Sequence, residues 1–488
     1  MTQNRLSGLD TSFLHLETGG AHMHVGAVLL FDGSPPEYDD LLEAIASRLD
    51  LVPRYRQRLA SIPLGQGRPR WVDDPHFNLR YHVRRTALPE PGSEDQLRNL
   101  AGRVFSQRLD RDKPLWEMWL VEGVEGERFA VISKTHHALI DGISGVDLMS
   151  VMFDTAPEPS VPSAAQTRWL PRPLPSRAQL LGEALLERAT IPAEMARGAR
   201  ALFRAPRRLA ATAFGGLVGV GALAWAGLRP APPTPYNVPI GPHRRFNWLR
   251  ASLRDVKAIK DALGGTVNDV VLATVAGALQ RHLRRRGFPT DGLVLKAMVP
   301  VSVRADDARG ALGNQVAAMM VPLPATEDPL TRLELVMSET QGLKRSGQAV
   351  GAQVLTELTG FAPATLMGQA ARLAARQRFF NLVVTNVPGP QSPLYLAGHE
   401  LIDIFPLVPL APGQALGVAI LSYNGRIDFG LLADYDELSD LDELTADLAA
   451  SLSELADAAD VKLTPQPAPG RPRAARRARP AIEATPPS

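Results

Sequence analysis

The chain has no cysteine in its 488 residues. That excludes a disulfide scaffold, a thiol nucleophile and a metal held by sulfur. It also lacks a charge excess: 53 lysines and arginines stand against 51 aspartates and glutamates, a formal net charge of +2. With no nucleic-acid motif either, nothing favours a polyanion, and no nucleic-acid partner is expected. The opening MTQNRLSGLDTSFLHLETGG has no basic segment leading into an apolar one, so no secretory signal is visible and a cytoplasmic location is expected. A Gly-x-Ser-x-Gly nucleophile elbow is missing too, and no internal repeat is detectable. What is present is ordinary globular material, 45% hydrophobic and 21% charged, long enough for two or more domains with sizeable cores.

The stretch 129–153, FAVISKTHHALIDGISGVDLMSVMF, organises the rest. Residues 129–134 are apolar and rich in β-branched side chains, which predicts a buried strand. From Ile143 onward, Ile143, Val146, Met149 and Phe153 recur at helical intervals. Between them lies His136-His137-x-x-x-Asp141-Gly142. Imidazole titrates near neutrality, so a histidine at a strand-to-turn junction suits a general base at the mouth of a cleft. Asp141, in a turn closed by Gly142, would then fix the backbone or the ring. Neighbouring residues of a strand point to opposite faces, so at most one of the two histidines can face a given site. The other reading, an interior hydrogen-bonded histidine, stands beside the first. A zinc site lacks the helical i, i+4 histidine pair, and no metal is expected. His15, His22 and His24 are irregularly spaced and read as structural.

In chain order, the run 24–31 predicts a strand ending at Asp32-Gly33, and Leu41, Leu42, Ile45 and Leu49 predict a helix over 38–49. Pro114-Leu115-Trp116 opens a strand whose two tryptophans read as core. Residues 161–245 are rich in Pro, Ala and Arg and read as a connector between domains at 1–160 and 246–463. Within it, 209–228 carries no charge and is flanked by Arg207, Arg208 and Arg229. Three readings fit it: a packed interdomain helix, an element dipping into a lipid surface, or a membrane span. In the second domain a short helix ends at Gly264-Gly265. Thr266 and Asp269 then resemble a capping box opening a helix through Leu283. Asn268, an amide at that helix start, is able to donate to an oxyanion. A strand over 293–304 ends at Arg304. The run LVVTNVPGP at 382–390 reads as a strand entering a backbone-shaping turn, and Asn424-Gly425 marks a hairpin. A helix over 441–455 closes the domain, and the Pro/Ala/Arg-rich tail at 464–488 reads as disordered.

These elements, over 4–463, resemble the bacterial wax ester synthase/diacylglycerol acyltransferase family: an LSxxDxxFL opening, MHVG at 23–26, PLW at 114–116, HHxxxDG at 136–142, Asn268-Asp269 and NVPGP at 386–390. Asp428-Phe429-Gly430 is similar to the DFGWG element of plant members of the wider group, with Leu431-Leu432 in place of its last two residues. The resemblance implies an α/β fold of two chloramphenicol acetyltransferase-like domains with an active-site tunnel between them. It also implies a fatty acyl transfer from acyl-CoA to diacylglycerol or a long-chain alcohol, without a cofactor. His137 would be the base, Asp141 would hold its turn, and Asn268 would steady the oxyanion. His136, Gly142 and Asp269 would support them, and Arg304 would pair with Asp141 across the domains. A membrane or lipid-inclusion surface is the implied partner, reached from the cytoplasmic side. Two other readings are a condensation-type enzyme using a carrier-bound acyl donor, and a non-catalytic lipid-inclusion protein.

Overall fold

The structure is a computed structural model that describes residues 6–17, 19–63, 68–139, 152–158, 169–183, 186, 230–302, 316–345 and 378–465. Asp141, Gly142, Arg304, the uncharged stretch 209–228 and the tail beyond 465 lie outside the described residues.

Local sequence signals set the elements of the first half. α1 (Gly8–Leu16) starts at Ser7, whose Oγ accepts from the Asp10 N–H at 3.0 Å. β1 (His24–Asp32) leads into α2 (Tyr38–Ala46), which buries Leu41, Leu42 and Ile45. That helix stops before Leu49, which is buried in the turn beyond. A small hairpin of β2 (Gln57–Ala60) and β3 (Arg70–Asp73) follows, then α3 (Leu79–His82), β4 (Val83–Ala87) and α4 (Glu94–Ser106). Ser93 and Gln96 close a capping box at the start of α4. β5 (Trp116–Val124) and β6 (Arg128–His136) complete this half.

β7 (Arg244–Ser252), α5 (Leu253–Leu263) and α6 (Val267–Arg285) open the second half. Gly264 and Gly265 have φ of 89° and 82°, a region that suits glycine, and the helices part there at 97°. β8 (Val294–Ser302), β9 (Val316–Pro324), α7 (Pro329–Arg345), β10 (Leu382–Pro388), β11 (Tyr395–Leu396) and β12 (His399–Leu407) follow. β13 (Leu416–Tyr423) and β14 (Arg426–Asp434) form the Asn424-Gly425 hairpin, with φ of 43° and 81° at the two turn residues. α8 (Leu441–Ala458) packs along α6.

Two six-stranded mixed sheets result, ordered β11-β12-β1-β6-β5-β4 and β7-β14-β13-β10-β8-β9. β1 and β6 are central and buried on both faces. Leu29, Phe31, Phe129 and Val131 enter one apolar cluster, while Val28, Leu30, Ala130 and Ile132 enter another. This explains why 129–134 reads as an unbroken apolar run. α6 is apolar nearly all round, with Val270, Val271, Leu272 and Ala273 buried in succession, because it lies inside the second core. Among the described residues no single helix is long and apolar enough to cross a membrane.

The sheets do not follow the division of the chain at 246. β11 and β12 come from the second half yet complete the first sheet, where β12 pairs with β1. A strand's own residues report burial but not its partner, so the exchange leaves no local trace. It ties the two lobes together. Trp248 of β7 stacks on Phe405 of β12 at 4.3 Å, and a Cβ on Gly430 would lie 1.9 Å from the Pro406 carbonyl oxygen. Arg250 of β7 donates to Asp403 of β12 at 2.9 Å and to Glu94 of α4 at 2.7 Å. Breaking such a buried pair from one side leaves a charge uncompensated.

Candidate active site

β6 delivers the two histidines, and its end separates them. His136 is the last strand residue, in register with His24 of β1, whereas His137 begins a 3-10 turn over His137–Leu139. The His137 N–H donates to the Met23 carbonyl at 2.8 Å, and the Ala138 N–H donates to His136 Nδ1 at 3.0 Å. α1 packs against this turn and lays the Phe13 ring on His137, with centroids 3.9 Å apart and planes tilted by 31°.

The imidazoles differ in accessibility. His136 is buried, and desolvation pushes its pKa down to about 3. His137 is half-buried, and desolvation lowers its pKa to about 4, opposed by a hydrogen bond to its own backbone carbonyl. A neutral imidazole has one nitrogen without a proton, the acceptor that a general base requires.

Glu17 and Arg111 were not singled out from the sequence. The Glu17 carboxylate, in the segment after α1, lies 3.4 Å from His24 Nε2 and 3.8 Å from His136 Nε2. Arg111 donates to it through Nε at 3.1 Å and Nη2 at 2.5 Å. Burial opposes its charge, but the histidines and Arg111 hold its pKa well below the carboxylate range. No spacing rule would have found this group, because its members come from positions 17, 24, 111 and 136. His22 is also interior, with a ring nitrogen 3.3 Å from the Pro242 carbonyl oxygen, in keeping with the structural reading of these histidines. Lys134 is buried as well, and its Nζ donates to the Val104 and Gln107 carbonyls at the end of α4.

In the second lobe the predicted capping box is present. The Asp269 carboxylate accepts from the Thr266 N–H at 2.8 Å, and the Asp269 N–H donates to Thr266 Oγ1 at 3.3 Å. Thr340 of α7 donates to its other oxygen at 2.7 Å, so Asp269 is a structural anchor. Asn268 is half-buried, and its Oδ1 accepts from Asn386 Nδ2 at 3.2 Å. Among the described residues it shares no hydrogen bond with either histidine. Asn386 belongs to the NVPGP run, which was expected only to shape backbone. That expectation describes Gly389, whose N–H donates to the Ser422 carbonyl at 2.9 Å and where a Cβ would sit 2.4 Å from the same oxygen. Among the described residues no hydrogen bond engages the Asn268 NH2, a donor.

Two other motifs are structural. Trp116 of the PLW element is buried, donates from Nε1 to the Tyr55 carbonyl at 2.8 Å and stacks on His82 at 4.7 Å. Asp428 of the DFG element is fully buried beneath the lobe joint, where burial and then the Asp403 charge push its carboxyl pKa up.

The family model for the wax ester synthase/diacylglycerol acyltransferase catalytic domain matches residues 6–271, and the model for the WS/DGAT C-terminal domain matches residues 312–456. Mycobacterium tuberculosis tgs1, named a probable diacylglycerol O-acyltransferase, is 34% identical over 461 residues, covering 93% of this chain and 96% of its own. The similarly named tgs2 is 35% identical over 461 residues, covering 93% and 98%. A wax ester synthase/diacylglycerol acyltransferase from Marinobacter aquaeolei VT8 superposes with a TM-score of 0.64 at 27% identity, over 94% of this chain and 100% of that one. The first condensation domain of the CDA synthetase, at 17% identity and a TM-score of 0.56 over 95% of this chain and all of its own, shares the fold. The expected two-domain α/β architecture is therefore the observed one, and the motifs at 23–26, 114–116, 136–142 and 386–390 fall within the matched spans. The chain is a member of the wax ester synthase/diacylglycerol acyltransferase family.

Proposed function

We propose that this protein transfers a fatty acyl group from acyl-CoA to the hydroxyl of diacylglycerol or of a long-chain alcohol, releasing triacylglycerol or wax ester and free CoA. The observation that carries this reading is the half-buried imidazole of His137 at the strand-to-turn junction, whose pKa desolvation lowers to about 4 so that the ring is neutral near pH 7. Its unprotonated nitrogen takes the proton of the acceptor hydroxyl as the hydroxyl oxygen attacks the thioester carbonyl. The tetrahedral intermediate collapses, the C–S bond breaks, and the departing thiolate recovers the proton from His137. No acyl-enzyme and no cofactor are involved. Asn268 would steady the oxyanion through its NH2, with its amide oriented by Asn386. Asp141, Gly142 and Arg304 keep the supporting roles that the family pattern implies. Donor and acceptor would approach from opposite ends of a passage between the lobes. Because both the acceptor and the product are lipids, the reaction would take place at a membrane or lipid-inclusion surface.

General-base catalysis contributes about 10²–10⁴-fold, with positioning of the two substrates supplying much of the remainder. The test is incubation of purified protein with labelled palmitoyl-CoA and either diacylglycerol or hexadecanol, followed by separation of neutral lipids. Labelled triacylglycerol or wax ester is expected from the wild type, and about 10²–10⁴-fold less from His137→Ala. Full activity in that variant would end the assignment of His137. An acyl donor bound to carrier protein, tried in the same assay, separates this activity from a condensation-type one. Flotation with liposomes reads the surface association.

A further inference from the structure

Behind the His137 turn, polar side chains from four separate stretches of chain meet in a dry surrounding. The side chain of Glu17 is 5% exposed and those of His24 and His136 are each 1% exposed. A carboxylate so far from water is costly unless it is well paired. Pairing here is incomplete. Among the described residues neither nitrogen of His24 nor Nε2 of His136 makes a hydrogen bond, and both Nε2 atoms face Glu17, at 3.4 and 3.8 Å.

The hydrogen-bond directions explain the arrangement. His136 Nδ1 accepts from the Ala138 N–H, so the proton of the neutral ring sits on Nε2, the nitrogen facing Glu17. Ala138 directly follows His137, so the His136 ring grips the backbone of the turn that carries the base. On the other side, the Glu17 N–H donates to the Phe13 carbonyl at 3.2 Å, and Phe13 supplies the ring lying on His137. Arg111, which donates to the Glu17 carboxylate, also donates to the Leu14 carbonyl at 3.0 Å, tying the carboxylate to the last turn of α1. The supports on both sides of His137 therefore meet at one carboxylate.

We infer that Glu17 is a positioning residue for acyl transfer: through His136 and the end of α1 it holds the His137 ring in the orientation that accepts the hydroxyl proton. The inference rests on the reading of His137 as the base. A carboxylate that merely stabilised the fold would not act through His136 on turnover, and the two roles separate in a double-mutant cycle.

The experiment uses the full-length protein and the variants Glu17→Gln, His136→Gln and both together. For each, kcat and KM for palmitoyl-CoA are measured at saturating diacylglycerol, beside the thermal midpoint. Glu17→Gln is expected to lower kcat about ten- to hundredfold while KM changes less than about twofold. The double variant is expected to be no slower than His136→Gln alone, since a residue acting through another adds nothing once that other is gone. Losses that multiply, or a wild-type kcat in Glu17→Gln, would overturn the inference. Should Glu17→Gln not fold, Arg111→Gln replaces it, at a side chain 48% exposed. It is expected to lower kcat at constant KM, and not to do so in the His136→Gln background; unchanged kcat in the single variant sinks the proposal. His137→Ala keeps the two ideas apart. If it is active, the base assignment fails; if it is inactive while Glu17→Gln turns over normally, only the positioning role fails.

Discussion

His137 is half-buried and His282 fully buried, and desolvation lowers the pKa of each. Their nitrogens are used differently. In His282, Nδ1 meets the Tyr236 hydroxyl at 2.8 Å and Nε2 meets Asp440 at 3.0 Å, so the ring is a strut between α6 and the start of α8. Among the described residues no other side chain hydrogen-bonds the His137 ring, which packs against Phe13. Burial and a shifted pKa thus do not by themselves mark a working histidine. A nitrogen left uncommitted does.

The largest test of this contrast is His137→Ala, expected to cost about 10²–10⁴-fold in kcat with little change in thermal midpoint. Next comes the amide pair of the second lobe. Asn268→Ala should lower kcat by about 10²-fold if its NH2 meets the oxyanion. Asn386→Ala removes only the donor that orients it and should cost about tenfold, the worth of one good hydrogen bond. Equal losses in the two variants would mean that neither amide is aimed at the reacting atoms. Third, His282→Ala should leave turnover per folded molecule unchanged and lower unfolding free energy by about 1–3 kcal/mol in urea titrations. Because the folded-state pKa of His282 is depressed, the unfolded chain binds more protons below the ordinary value of 6.5. Its contribution to stability is therefore complete above that pH and shrinks as pH falls, a slope that His282→Ala should reduce.

The smallest effect is the most discriminating. With a pKa near 4, His137 stays neutral at pH 6, and kcat/KM should differ by less than about twofold between pH 6 and 8. An ordinary imidazole of pKa about 6.5 would be mostly protonated at pH 6 and cost about fourfold.

Much of the framework was legible because its causes are local. The apolar run before His136 became a strand buried on both faces. Thr266 and Asp269 capped the helix that their spacing announced, and Asn424-Gly425 turned the hairpin. Each depends on contacts within a few residues or on a simple period. Asn386 and Glu17 were missed for the opposite reason. Asn386 sits 118 positions from Asn268, and Arg111 is 94 positions from Glu17. β12, at His399–Leu407, pairs with β1 of the first half, a partner that its own residues do not name.

Residue order alone settled the strand that ends at the histidine pair, the capped start of the helix at Thr266, and the family to which the chain belongs, since these are written in short-range hydrogen bonding, burial periodicity and motif spacing. Only the tertiary structure decided that the lobes exchange strands, that a distant carboxylate stands behind His136, and that one amide orients another. Those pairings follow from how surfaces far apart in the chain exclude water against each other. No local pattern encodes which surfaces will meet.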